Sequence, residues 1–253
     1  TAPALAEPAL WKVSDADSHV WLFGSVHVLD WQRDWRTPQF DAALDQAELV
    51  YFELMLDANA FSEMTQLSFS EGLVRKGESL DDYLTDEQSA RLEAIALEIG
   101  IEYRTLRRLR PWLAEMTLIQ STVLGSGLED TVAGVEILIS DEIEDARERG
   151  LETPRFQLEL FYGRPAAEQV DSLMATAEAI ASGTTDQASL LTEMVELWLA
   201  GDTARLQEAI VAEFGGLDTP LYQRLIVDRN RNWVQQIESL LADNENVLII
   251  VGA

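Results

Sequence analysis

The stretch Val20-Trp21-Leu22-Phe23-Gly24-Ser25-Val26-His27 decides how this chain reads. It is an apolar run of strand length that closes on a glycine and then a histidine. Upstream, Ala9-Leu10-Trp11-Lys12-Val13 is a second short run, and Ser14-Asp15-Ala16-Asp17-Ser18 between them is a polar turn, so residues 9–26 are expected to form a hairpin. Downstream, a loop rich in Trp, Asp and Arg ends at Pro38, residues 39–48 read as a helix, and Leu49-Val50-Tyr51-Phe52-Glu53-Leu54 reads as a buried strand. Strand and helix thus alternate through the first quarter, the pattern of a sheet with helices on its faces.

Helical periodicity dominates from about residue 58 to 241. A helix over 86–99 is expected between Thr85 as N-cap and Gly100 as stop. Val135, Leu138, Ile139, Ile143 and Ala146 make one apolar stripe, predicting a helix that ends at Gly150. Further helices are expected over 165–180, 185–200, 202–214 and 221–241, and a strand over 156–160. The chain closes on the apolar strand 246–251, followed by Gly252-Ala253. The prediction is therefore α/β: one domain over residues 1–253, its central mixed sheet built from strands at about 9–56 and 246–253, with a large helical insertion at about 58–241. An apolar strand as the last element predicts that the natural chain continues.

With 253 residues, 47% of them hydrophobic, the chain can bury a full core. No stretch reaches the roughly 18 apolar residues of a membrane span. The formal charge of −27, from 18 basic and 45 acidic residues, repels phosphate backbones and argues against nucleic acid as a partner. The absence of cysteine excludes disulfides and thiolate metal sites but fixes no compartment. The small, Pro-rich residues 1–8 read as a flexible leader, of the kind left after removal of a signal peptide.

Two histidines are present. His19, inside an apolar run, is expected to be structural. His27 closes Gly24-Ser25-Val26-His27 directly after a strand, where α/β sheets place ligand sites. Glu53 lies within an apolar strand: it either shares a solvent face with Tyr51, or, if the strand is central, is paired, protonated or metal-bound. Arg229 and Trp233 share a helix face; a core Trp233 would hold Arg229 near the interior, where it needs an anion, whereas a surface Arg229 would pair with Asp228 or Glu238. There is no P-loop, dinucleotide fingerprint, HExxH or GxSxG string, and no second histidine placed to complete a triad with Ser25.

Together these segments resemble the TraB/GumN family, which includes the Tiki-type proteases. Residues 8–13 and 20–29 look like its first strands and first GxxH motif. Residues 47–54 resemble its glutamate-bearing strand, and Arg229-Asn230-Arg231-Asn232-Trp233 its arginine segment. Ser79-Leu80-Asp81-Asp82-Tyr83-Leu84, Arg110-Pro111-Trp112 and Trp198-Leu199-Ala200-Gly201-Asp202 resemble mid-chain landmarks, and residues 246–252 the strand leading into a second GxxH motif at Gly252. The resemblance implies an EreA/ChaN-like sheet and an extracytoplasmic, periplasmic or membrane-attached setting in bacteria. It implies a divalent transition metal (Mn, Co or Zn) held by His27, Glu53 and a second-motif histidine expected two residues past Ala253, with Glu53 and Arg229 in the catalytic centre. Where relatives read Gly-Val-Asp this chain has Gly134-Val135-Glu136, so Glu136 is a further candidate, as is Glu159.

Three activities stay open: a metal-dependent hydrolase, foremost of peptide or protein substrates; a non-catalytic binding or regulatory protein that keeps the fold; and a metal-independent esterase-like enzyme with His27 as general base.

Overall fold

The apolar run around Trp21 becomes an inner strand of a sheet. The computed structural model describes residues 7–27, 29–30, 33–124, 132–183, 187–243 and 245–252. Its strands are β1 (Leu10–Ser14), β2 (His19–Ser25), β3 (Leu29–Asp30), β4 (Leu49–Leu54), β5 (Val132–Ala133), β6 (Glu148–Glu152) and β7 (Val247–Gly252). The helices are α1 (Pro38–Gln46), α2 (Ala58–Gly72), α3 (Asp86–Glu98), α4 (Tyr103–Leu106), α5 (Pro111–Leu124), α6 (Val135–Ser140), α7 (Pro154–Tyr162) and α8 (Ala166–Ser182). They continue with α9 (Gln187–Leu199), α10 (Thr203–Glu213), α11 (Pro220–Tyr222) and α12 (Arg229–Ala242), the last two joined by a π-helical stretch, Gln223–Asp228.

The chain is α/β, and its five-stranded mixed sheet runs β1-β2-β7-β4-β6. The β1–β2 hairpin is antiparallel, while β2, β4 and β6 all run parallel to their neighbours β7 and β4. The terminal strand β7 therefore sits at the centre, matching Trp21 to Leu248 on one side and Phe52 to Ile250 on the other. β3 and β5 form a separate two-stranded antiparallel pair. Among the described residues no helix is long and apolar enough to cross a membrane.

Cα packing separates two units: Thr1–Met55 with Thr131–Glu152 and Leu191–Ala253, and Leu56–Asp130 with Thr153–Leu190. The first holds the sheet. Alternate residues of each strand face opposite ways. Trp21, Phe23, Val50, Phe52, Leu248 and Ile250 pack with Phe40, Trp35 and Trp198 on one face. Val20, Val247 and Ile249 pack with Leu151, Trp233 and Leu240 on the other, where Leu22, Leu49 and Tyr51 join them. Each such fully buried side chain contributes about 1.5–3 kcal/mol. Trp198 also satisfies its indole N–H, donating to the Gly24 carbonyl at 2.6 Å.

The second unit is helical around Leu80, Leu92, Ile95, Leu106, Leu118 and Leu173. Its α3 begins with a capping box between Thr85 and Gln88 and stops at Gly100, whose φ of +79° suits a residue without a Cβ. Within this unit Arg164 and Glu115 form a buried ion pair at 3.1 Å, and Ser172 and Thr176 donate to the free carboxylate oxygen.

Three sequence expectations are corrected. The stripe from Val135 does not run on to Gly150: α6 stops at Ser140, and Glu148–Glu152 is a sheet strand inside the span expected to be helical. β6 reads as polar, but it is an edge strand whose buried glutamates find partners: Ser140 donates to Glu148 at 2.9 Å. The strand expected over 156–160 is part of α7, started by Thr153, whose hydroxyl accepts from the Phe156 N–H, and by Pro154 at the first helical position. The helix expected over 221–241 is interrupted by the π-helical stretch.

Candidate functional site

The site assembles where β2, β7 and β4 end side by side, all within the sheet-bearing unit. Because the three strands are parallel, their C-terminal ends lie together, and Ser25 pairs in register with Gly252. His27 follows two residues after β2. The β3–β5 pair ties the chain just beyond His27 to the segment leading into α6, and the Val135 N–H donates to the Val26 carbonyl at 3.2 Å. Gly134 lets these segments approach: a Cβ there would lie 2.7 Å from Glu136 Oε2 and 3.2 Å from the His27 carbonyl.

The result is that Glu136 faces His27. His27 Nδ1 lies 3.1 Å from Glu136 Oε1, and Ser25 Oγ donates to the same oxygen. A carboxylate only accepts, so Nδ1 carries a proton and, in the neutral ring, Nε2 presents its lone pair. The Glu136 hydrogen bond raises the His27 pKa above that of an ordinary imidazole, outweighing the desolvation that lowers it. Burial alone would raise Glu136; the hydrogen bond and charge of His27, with Ser25, hold it below the usual carboxylate value.

Glu53 extends from β4 on the same face as Leu49 and Tyr51. That face does not open to solvent at Glu53, because α12 covers it and the side chain is 12% exposed. Glu53 Oε1 accepts from the Gly252 N–H at 2.7 Å, and Oε2 from Arg229. Arg229 simultaneously grips Glu152, Nε to Oε1 at 2.8 Å and Nη2 to Oε2 at 2.9 Å. Trp233 stacks on the guanidinium at 4.8 Å and donates its indole N–H to Glu152 Oε1 at 2.9 Å. Burial disfavours the charge of Arg229, but Glu152 and Glu53 more than offset this and raise its pKa above the usual guanidinium value. Arg229 is thus an interior residue bound to two carboxylates, not a surface partner of Asp228 or Glu238.

His27 and Glu53 converge on one point. A Cβ added to Gly252 would meet Glu53 Oε1 at 3.0 Å and His27 Nε2 at 3.5 Å. Gly252 therefore keeps open the space that both donor atoms face. One imidazole nitrogen and one carboxylate oxygen suit a divalent transition metal, and Glu53 Oε1 keeps a lone pair beyond the one used by Gly252. Among the described residues, no group of three or more His, Asp or Glu side chains is arranged to hold a metal ion, so these two donors are a partial set. Ala253 lies outside the described residues.

Of the other candidates, Gly24 sits within β2 and offers its carbonyl to Trp198. Glu159 is exposed on α7 in the helical unit and does not take part in this cluster. His19 lies at the start of β2, edge-on to Trp21 with ring centroids 5.6 Å apart. Sequence reasoning missed Glu152. Its only signal was a glutamate beside a lone Leu151 in a polar strand, with its arginine 77 residues away.

A cavity of about 570 Å³ opens against this cluster, entirely within the sheet-bearing unit. Ser25, His27, Glu53, Arg229 and Gly252 line it together with apolar side chains of α9, α10 and the π-helical stretch.

The sequence pattern of the TraB/PrgY/gumN family matches residues 9–253. A protein of Treponema pallidum (strain Nichols), described as an "Uncharacterized protein", is 21% identical over 256 residues, which span 98% of this chain and 76% of that protein. No solved structure matches the chain at a significant level.

Proposed function

The chain belongs to the TraB/PrgY/gumN family, and on that premise we propose that it is a metal-dependent hydrolase, foremost a peptidase, with His27 and Glu53 as metal ligands. The observation that carries the reading is the convergence of His27 Nε2 and Glu53 Oε1 on the space beside Gly252, at the mouth of a ligand-sized cavity. The cofactor would be Mn, Co or Zn, and when bound it would lower the pKa of a coordinated water toward neutrality. The chain's own residues do the rest. Glu136 fixes the tautomer and direction of His27, the arrangement in which a carboxylate orients a metal-binding imidazole. Arg229 and the Gly252 N–H hold Glu53 in one orientation. The cavity walls position the substrate and keep bulk water from it. The setting proposed is extracytoplasmic, to be checked by cell fractionation.

The test is metal analysis of the purified protein alongside cleavage of a peptide library, for the wild type, His27→Ala and Glu53→Gln. The reading expects a stoichiometric transition metal and cleavage in the wild type and loss of both in the variants. Metal-free wild type that cleaves nothing would leave the second reading, a binding protein that keeps the fold. One observation favours that alternative: the forked Nε–Nη2 edge of Arg229 is taken by Glu152 and Glu53, and Nη1 already donates to the Leu225 carbonyl at 3.3 Å, so the edge best shaped for a developing oxyanion is occupied.

A further inference from the structure

We propose that the cavity beside His27 and Glu53 accepts a long linear acyl chain, so that the substrate is an acyl amide or ester whose carbonyl lies at the His27 end. The placement of the carbonyl rests on the hydrolase reading; the preference for an alkyl chain rests on the walls alone. At about 570 Å³ the cavity is far larger than one amino-acid side chain needs and falls in the range that holds a whole small ligand. Leu191, Met194, Ile210, Phe214, Leu225 and Ile226 supply much of its wall, each only half buried by the protein. Apolar side chains left uncovered around a concavity gain by taking an apolar occupant.

The polar groups discriminate between occupants. Outside the Ser25, His27, Glu53 and Arg229 cluster, the polar groups of the lining are on Thr203, Gln207, Tyr222, Asn230 and the indoles of Trp11 and Trp233, the last already bonded to Glu152. A peptide threaded into the cavity would bring an amide N–H and C=O with every residue, more groups than these walls can pair, and an unpaired buried amide is costly. A hydrocarbon chain brings none. Charge then separates acyl derivatives from free fatty acids. In the metal-free chain Glu53, Glu136 and Glu152 face one arginine and one histidine at this end, so a carboxylate head is repelled where a neutral carbonyl is not. Hydrolysis of an acyl amide breaks the C–N bond, gives the acyl carbon a water-derived oxygen and leaves a carboxylate and a protonated amine.

Calorimetric titration of the chelator-treated chain tests this without any catalysis. The probes are N-acyl-alaninamides of increasing linear chain length, the free fatty acid of the longest chain, and trileucine amide. Kd is expected to fall by about fourfold for each added methylene until the cavity is full and then to level off. The free acid should bind at least tenfold more weakly than the matching amide. Ile210→Trp and Met194→Trp, each checked for an unchanged melting temperature, should move the plateau to shorter chains. A Kd independent of chain length, trileucine amide binding as tightly as the longest acyl probe, or a free acid matching its amide overturns the proposal. Absence of metal or of cleavage defeats the hydrolase reading but leaves the chain-length series to be judged on its own.

Discussion

Glu136 Oε1 sits 3.1 Å from Nδ1 of His27, a residue 109 positions away in sequence, and thereby directs the opposite ring nitrogen toward Glu53 and Gly252. The imidazole itself is 64% exposed. Replacing His27 by Ala therefore opens little cavity, and the expected stability change is about 1 kcal/mol or less. For a chain of this size that corresponds to a melting-temperature shift of about 2–4 °C. Metal uptake, read by elemental analysis, should instead be lost. His27→Ala that retains stoichiometric metal would remove His27 from the ligand set.

The same pair predicts a pH window. His27 has a raised folded pKa, so its contribution is complete below its free value of 6.5 and fades as pH rises through the folded pKa. Glu136 has a depressed folded pKa, so its contribution is complete above its free value of 4.5 and fades as pH falls through the folded pKa. The pair is thus at full strength between about pH 4.5 and 6.5. Solvent screening around the exposed ring limits it to about 1 kcal/mol. In chelator-treated protein, the melting-temperature gap between wild type and Glu136→Gln should be widest in that window and narrow on either side. A gap that is flat with pH would show that the ion pair is not its source.

Arg229 holds two carboxylates that are 12% and 0% exposed, Glu53 and Glu152. Removing the guanidinium strands both, so Arg229→Met should cost about 3–5 kcal/mol in urea unfolding. Arg229→Lys should cost less but still destabilise, since an ammonium cannot reproduce the fork across Glu152. If Arg229→Met unfolds at the wild-type urea midpoint, the cluster contributes no net stability.

Gly252 tests the open space rather than a ligand. A methyl group at this position would stand 3.0 Å from Glu53 Oε1, so one of the two must give way. Gly252→Ala is expected to weaken metal binding by about 10–100-fold, the scale of changes just outside a metal's ligands. Because residue 252 is exposed at a strand end, the urea midpoint should barely move.

The sequence is legible where hydrophobicity is continuous. The runs at β2, β4 and β7 have no polar interruption but Glu53, and three such strands share one sheet because each needs cover on both faces. The convergence of His27, Glu53 and Gly252 follows, since parallel strands end together. β6 is different: Glu148-Arg149-Gly150-Leu151-Glu152 carries a single apolar side chain, and its burial depends on Ser140, Arg229 and Trp233, partners that no local pattern reveals. The orienting role of Glu136 was equally hidden, because the β3–β5 pairing that brings it to His27 involves strands of two residues each.

The π-helical stretch Gln223–Asp228 has a consequence for how this region tolerates insertion and deletion. A π turn carries one residue more than an α turn, and each residue of an α-helix advances the azimuth by about 100°. Leu225 and Ile226 within the stretch and Arg229 and Trp233 just after it all line the cavity, and the latter two also reach Glu53 and Glu152. Deleting any one residue of this stretch would let the helix relax to regular α geometry. It would also rotate all of α12 by about a quarter turn relative to the sheet, carrying the arginine off its two carboxylates. The length of this segment therefore matters to the site as well as its composition.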